Sequence, residues 1–273
     1  RSFLDWAVNP LVRMSAGERL LMPVTIFGHY MAVLIAPIHP SPDYSANAIG
    51  LHFNPHDPYF AIGVIAIIAW FALAIVALVR RNGALLFCLL AFGVTYGVIS
   101  NLVTLIGTIF GERLIYLPSA FFLILVSLAL AKLSWKALAP LAMCLLLLAS
   151  LRTFTYARLW NDKVQLFQTS LAHHPDSIRL YLLLANEYRD QQRYAEAKAV
   201  LDRAAERLPN YWEIWLQAGI NALKAGDLDE AQRCIVRAMK LQPGPATSYW
   251  LSQIEAQRAT TRATTKGTAD TRR

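Results

Sequence analysis

Glu112, Arg113 and Tyr116 stand in Gly111-Glu112-Arg113-Leu114-Ile115-Tyr116-Leu117-Pro118-Ser119, between an apolar run from Ala84 to Phe110 and another from Ala120 to Ala131. Charge is costly between two such runs, so a polar island there is a functional-site hypothesis. A guanidinium grips an oxyanion through two parallel hydrogen bonds, a carboxylate accepts hydroxyl protons or orients the arginine, and a tyrosine stacks or hydrogen-bonds. The same residues also fit an interfacial ion pair with an aromatic-belt tyrosine holding helix ends. Asp43 and Tyr44 form a second polar pair in the loop 39–59. Ser41-Pro42-Asp43 reads equally as a turn with Asp43 as a helix N-cap. His39, His52 and His56 share that loop without a fixed helical register, and no metal site is assigned to them. His173-His174 reads as a solvated pair at a helix C-terminus.

The elements that must position these groups are membrane spans. The chain has 273 residues, 56% of them hydrophobic, and most of the apolar excess precedes residue 152. Phe60 to Val79 is an uninterrupted apolar run of the length a bilayer requires, closed by Arg80-Arg81-Asn82-Gly83. Further spans are expected over about 20–38, 84–99, 117–131 and 137–151. The first is interrupted by Pro23, Thr25, His29, Tyr30 and Pro37 and reads either as a span or as a partly re-entrant or interfacial segment; the third continues past Ser100-Asn101 towards Phe110 as an oblique helix end. The fifth is short and leans on Lys136 and Arg152 to snorkel. Residues 1–16, with Trp6, Pro10 and Arg13, read as an interfacial segment or the end of an earlier loop. Arg80 and Arg81 fall in one turn and Lys132 and Lys136 in another, whereas the loop 39–59 has no Lys or Arg and 101–119 has only Arg113. The positive-inside rule puts the basic turns in the cytoplasm, and the acidic loop, the nonapeptide and everything after Arg152 outside it.

The net charge of +8 divides into +4 over 1–152, zero over 153–257 and +4 over 258–273. No folded part carries the charge of a nucleic-acid-binding surface. Cys88, Cys144 and Cys234 have neither metal nor redox spacing and read as packed thiols.

Residues 153–257 repeat with a period of 34. Tyr181 recurs as Trp215, Ala185 as Gly219, Ala197 as Ala231, Leu201 as Ile235, Ala204 as Ala238 and Pro209 as Pro243. This is the tetratricopeptide pattern, with large residues fitted between small ones on paired helices and proline closing each unit. Full repeats are expected over about 178–211 and 212–245, flanked by helices at 159–174 and 246–257, with a disordered tail at 258–273. The fold class is therefore all-α, a polytopic transmembrane helix bundle followed by a tetratricopeptide-repeat α-solenoid. Such a stack offers a surface to an extended peptide or partner protein, or packs on its own membrane domain.

Four strings together resemble a known family. They are Pro37 to Ser45, Ile99-Ser100-Asn101-Leu102 with Gly107, Glu112 to Ser119, and Trp160 with Leu166-Phe167 ahead of the repeats. In order and spacing they resemble the transmembrane and tetratricopeptide-repeat O-mannosyltransferase-like proteins, of the C-type glycosyltransferase superfamily, up to about residue 245. The resemblance implies transfer of a sugar, such as mannose, from a polyprenyl-phosphate donor to protein hydroxyls on the extracytoplasmic side, with the repeats on that side. It places Arg113, Glu112 and Tyr116 at the lipid phosphate and Asp43 and Tyr44 along the cavity. Catalysis in that superfamily uses an acidic residue in the first extracytoplasmic loop, to which nothing here corresponds. No catalytic residue is carried over, and a catalytic half is expected to precede Arg1. The alternative is a non-catalytic, membrane-anchored tetratricopeptide scaffold. No cofactor is implied; the partners are membrane lipid, the lipid-linked sugar as substrate, and a protein acceptor.

Overall fold

The computed structural model describes residues 9–38, 40–45, 49–50, 52–131 and 133–270, so Trp6, His39 and Lys132 lie outside the described residues. Among the described residues the regular structure is helical, as the fold class requires. Two compact units divide it: residues 1–162 with 172–177, and 163–171 with 178–273.

The first unit holds α1 (Ala16–Ile35), α2 (Pro58–Val79), α3 (Gly83–Ile99), α4 (Tyr116–Leu130) and α5 (Trp135–Leu159), with a 3-10 turn at Glu112–Ile115 leading into α4. Local chemistry sets the helix starts. Ser15 and Glu18 form a reciprocal capping box for α1. Asp57 accepts from the Tyr59 amide with Pro58 at the first helical position of α2, and Asn82 accepts from the Leu85 amide to start α3. Among the described residues, α1, α2, α5 and the segment Glu112–Leu130 are long and apolar enough to cross a membrane, and α3 is a shorter apolar helix.

The first unit differs from expectation at α1, which runs from Ala16 to Ile35 and not over 20–38, at α5, at the end of α3 and at Asp43. α5 runs for 25 residues to Leu159, ten past the expected 137–151 at its two ends together, because nothing from Arg152 to Leu159 breaks a helix. α3 stops at Ile99 instead of continuing obliquely. Asn101 takes a left-handed φ of 59°, and its side chain receives the Ile106 amide at 3.0 Å while donating to the Ile109 carbonyl at 3.3 Å. Asn9 donates to the same Asn101 oxygen at 2.9 Å. A loop thus replaces helix over 102–111, its polar backbone paid into one buried amide. Asp43 caps no helix among the described residues.

α1 and α2 approach backbone to backbone. A Cβ on Gly28 would lie 1.8 Å from the Tyr59 carbonyl oxygen, and one on Gly63 2.0 Å from that of Val24. The pairing of 28 with 59 and 24 with 63 makes the two helices antiparallel. Small residues permit this distance, as at membrane helix interfaces generally. Leu11, Met22, Ile26, Tyr30, Ile109 and Phe110 fill the core beside them.

The second unit stacks part of α6 (Lys163–His173) with α7 (Ile178–Asp190), α8 (Tyr194–Arg207), α9 (Trp212–Ala225), α10 (Leu228–Leu241) and α11 (Pro245–Asp270). Tyr181, Ala185, Ala197, Ala204, Gly219, Ala231 and Ala238 are buried, Trp215 is half-buried, and Pro209 and Pro243 sit exposed beyond the helix ends. At Gly219 a Cβ would meet Ile235 at 2.6 Å, so the position that takes Ala185 in the first hairpin needs glycine in the second. Ile254 of α11 is fully buried against Ile220 and Ile235 and covers the open end of the stack. α11 continues to Asp270, where composition led us to expect disorder; with no Pro between Ala246 and Asp270 the packed first turns propagate outward.

Replacing Gly28 by Val should force α1 from α2 and cost about 1–3 kcal/mol or more, seen as a lowered unfolding midpoint in detergent. Gly17→Ala, where a Cβ meets nothing within 4 Å, should be neutral or slightly stabilising.

Candidate functional site

The polar groups of the first unit converge on a cleft of about 240 Å³. Three segments far apart in sequence build it: the loop Ser41–Tyr44, the stretch Thr108–Arg113, and the end of α5 at Tyr156 and Trp160. Tyr30 supports the middle segment from below, its hydroxyl accepting from the Gly111 amide at 3.3 Å and facing the Gly111 carbonyl at 3.4 Å.

Glu112 ties two of these segments together. Its Oε1 accepts the Tyr44 hydroxyl and, at 3.2 Å, the Ser41 amide. The Ser41 amide also faces the Tyr44 oxygen at 3.0 Å. Tyr44 itself is buried, its ring edge-on to Phe110 and to His174 at centroid distances of 4.8 Å. Burial first, and then the hydrogen bond and charge of Glu112, push the Tyr44 hydroxyl well above its ordinary pKa of 10.0, so it stays a donor. Asp43 bends the loop: its Oδ2 accepts the Ser45 amide at 2.8 Å and the Ser177 hydroxyl at 3.0 Å. That is an Asx turn with a tether.

The consequence for Arg113 is direct. Glu112 Oε1 is occupied by Tyr44 and Ser41, and Arg113 makes no ion pair or hydrogen bond with any described residue while lining the cleft, exposed. Glu112 Oε2 likewise has no hydrogen-bond partner among the described residues. The cleft is therefore lined by a guanidinium without a hydrogen bond or ion pair among the described residues, by the Glu112 carboxylate, which also feels the charge of Arg152, and by Tyr156 and Trp160. Chemically, a guanidinium can hold an oxyanion, a carboxylate oxygen can accept from a hydroxyl, and aromatic rings can stack on an apolar ring face.

Of the residues read from sequence, the structure brings together Arg113, Glu112, Asp43 and Tyr44. Tyr116 is placed elsewhere: it opens α4, is 82% exposed and lies outside the cleft lining. Ser41, Tyr156 and Trp160 were not singled out as site residues, although Ser41 and Trp160 stood inside the quoted strings. Tyr156 could have been found only by extending α5 past Arg152. Of the histidines, His52 lies 3.5 Å from Glu18, and among the described residues no group of three metal-ligating side chains converges.

Two comparisons with known proteins match this chain. The Tetratricopeptide repeat model matches residues 188–254, from the end of α7 into α11. Over 121 residues the chain is 35% identical to Protein O-mannosyl-transferase Tmtc2 of Drosophila melanogaster. The chain resembles the transmembrane and tetratricopeptide-repeat O-mannosyltransferase-like proteins. The aligned stretch is 42% of this chain and 13% of that relative, so the chain spans a small part of the protein it matches.

Removing the Tyr44 hydroxyl tests the cleft's framework. Tyr44→Phe withdraws a hydrogen bond from a half-buried carboxylate and should cost about 1.5–3 kcal/mol. The raised pKa adds a pH signature. The folded state holds the phenolic proton more tightly than the unfolded chain, whose value is near 10.0, so this stabilisation is complete below about pH 10 and lost as pH rises beyond it. Unfolding midpoints measured in detergent should fall above that pH in the unsubstituted protein and fall less steeply in Tyr44→Phe.

Proposed function

We propose that this chain is part of an integral-membrane, multi-pass glycosyltransferase-like protein whose cleft seats the phosphate-bearing headgroup of a polyprenyl-phosphate sugar. The sugar, mannose on the strength of the resemblance, passes to protein acceptors. The observation that carries the reading is the unpaired Arg113 guanidinium in a cleft beside a carboxylate already held by Tyr44 and Ser41. An arginine that served only as an ion-pair anchor would have paired with its neighbour. A phosphate offers the bidentate partner it lacks.

The membrane reading rests on the apolar helices and the distribution of basic residues. Arg80 and Arg81 lie at the turn between α2 and α3, and Lys136 at the start of α5. With those turns cytoplasmic, the cleft and the tetratricopeptide repeats face the extracytoplasmic side, periplasm or lumen. On this reading residues 1–152 are the membrane domain and 153–257 the repeat domain, which presents the acceptor protein. The carboxylates described here are assigned binding, and the group that activates the acceptor hydroxyl is assigned to the rest of the longer protein. No metal or cofactor enters the scheme.

A membrane-anchored tetratricopeptide scaffold is the second reading, favoured by the repeat match at 188–254. One experiment separates the two. In the full-length protein, Arg113→Ala should lower transfer from a labelled polyprenyl-phosphate mannose by about ten- to a hundredfold, the loss of a charge-assisted bidentate contact. Arg113→Lys should recover part of it, and membrane insertion should be unchanged. Equal donor binding and turnover in all three proteins defeats the donor-site reading, and absence of any transfer in the unsubstituted protein favours the scaffold.

A further inference from the structure

The proposed reading accounts for Arg113 and leaves the other open groups of the cleft without a role. Trp160 is the residue that closes α5, and it remains 56% exposed at a wall of the cleft. Its backbone amide completes the helix by bonding to Ala157 and Arg158 carbonyls, but its indole N–H has no partner among the described residues. A large ring left this open is available to a ligand. Tyr156, one helical turn earlier, stands edge-on to it at 6.4 Å with an interplanar angle of 83° and so fixes the orientation of the indole without covering it. Glu112 Oε2 completes the set.

An indole face is electron-rich and attracts weakly positive hydrogens. One face of a pyranose ring presents such hydrogens, on carbon, while its rim presents hydroxyls. Stacking that face on an indole leaves the hydroxyls free to donate to a carboxylate oxygen and to accept from an N–H. A bare phosphate, by contrast, gains nothing from an aromatic face. Trp160, Glu112 and Arg113 line one cleft of about 240 Å³, room for a single sugar ring with its phosphate, and the Oε2 of Glu112 makes no hydrogen bond with the described residues.

We infer that Trp160 is the platform for the sugar ring of the donor, with Glu112 Oε2 accepting from a ring hydroxyl, and that this pair selects sugar-bearing over bare lipid phosphate. The inference rests on the donor-site reading above and adds a specificity determinant to it. It divides the labour of the cleft: Arg113 holds the phosphate common to both lipids, and Trp160 reads the sugar that only one carries.

The competing role for a tryptophan at a span's end is an aromatic-belt anchor in the interface. An anchor would affect both lipids alike. The test is therefore a ratio. Binding of polyprenyl-phosphate mannose and of sugar-free polyprenyl phosphate is measured on the full-length protein in detergent, for the unsubstituted protein, Trp160→Ala and Trp160→Phe. Trp160→Ala should lose about five- to tenfold in affinity for the mannosyl lipid, in line with the worth of an aromatic contact, and less than about twofold for the bare lipid. Trp160→Phe, which keeps a ring, should stay within about threefold of the unsubstituted protein for both. An unchanged ratio of the two affinities in Trp160→Ala overturns the inference while leaving the Arg113 reading intact. If the unsubstituted protein binds neither lipid, both readings fall. A Trp160→Ala protein that binds the bare lipid normally is by that fact folded, so loss of the mannosyl lipid alone cannot come from unfolding.

Discussion

A carboxylate withdrawn from water must find hydrogen-bond donors, and Glu112 finds them in a loop some seventy residues earlier in the chain. That requirement shapes the first unit. To reach Glu112, the Ser41 amide and the Tyr44 hydroxyl must arrive together. The segment between them is bent by Asp43, which holds Ser45 on one side and Ser177 on the other. Tyr44 must be buried to donate inward, so its ring wedges between Phe110 and His174. Burial in turn keeps its hydroxyl protonated, which is the state that donates. One ionic group thus fixes a loop, an aromatic cluster and the floor of the cleft.

The same interaction explains why adjacent residues of opposite charge do not pair. Successive residues in a 3-10 turn point about 120° apart, so Glu112 can face the loop only if Arg113 faces away. The turn is held at its start by Tyr30 on Gly111, and the loop before it by Asn101 and Asn9. Those buried amides are why α3 ends where it does: a helix carried on to Phe110 would leave no chain to return to Glu112. The tight Gly28 and Gly63 approach of α1 and α2 keeps Tyr30 on the inner side. Packing of the apolar helices and presentation of Arg113 are in this sense one problem.

Much of this was legible in the residues. The 34-residue period placed both hairpins of the second unit, since each position of the repeat demands a side-chain size that the neighbouring helix enforces; Gly219 against Ile235 is the clearest case. The long apolar run to Val79 gave α2 to within two residues, and Asp57-Pro58 and Asn82 supplied caps. Arg113 and Glu112 were found because charge among apolar residues is conspicuous. What was not legible is partnership at long range. Nothing in Glu112-Arg113 says that the carboxylate belongs to Tyr44, and the ion pair that was one of two readings of their adjacency does not form among the described residues. Tyr116 reads as equivalent to the other aromatic residues near a span end, yet it stands exposed at the start of α4 and outside the cleft lining. The end of α5 was missed because apolar composition stops at Leu151 whereas helix-forming residues do not.

That last difference matters for the cleft. Twenty-five residues of α-helix extend about 37 Å, more than the roughly 30 Å of a bilayer's hydrocarbon. If α5 spans, its final turns emerge from the apolar layer, and Arg152 marks the crossing: its guanidinium bonds the Ile38 carbonyl, at the foot of the loop that carries Ser41 and Tyr44. Tyr156 and Trp160 then stand one and two turns beyond Arg152, at the depth where amphipathic rings are most stable and where a lipid headgroup is found. The helix that ends at Leu151 on composition alone would leave the cleft without its aromatic wall. The surplus length of α5 is therefore what brings an aromatic surface level with Arg113, and it does so without any residue of α5 being buried in the fold.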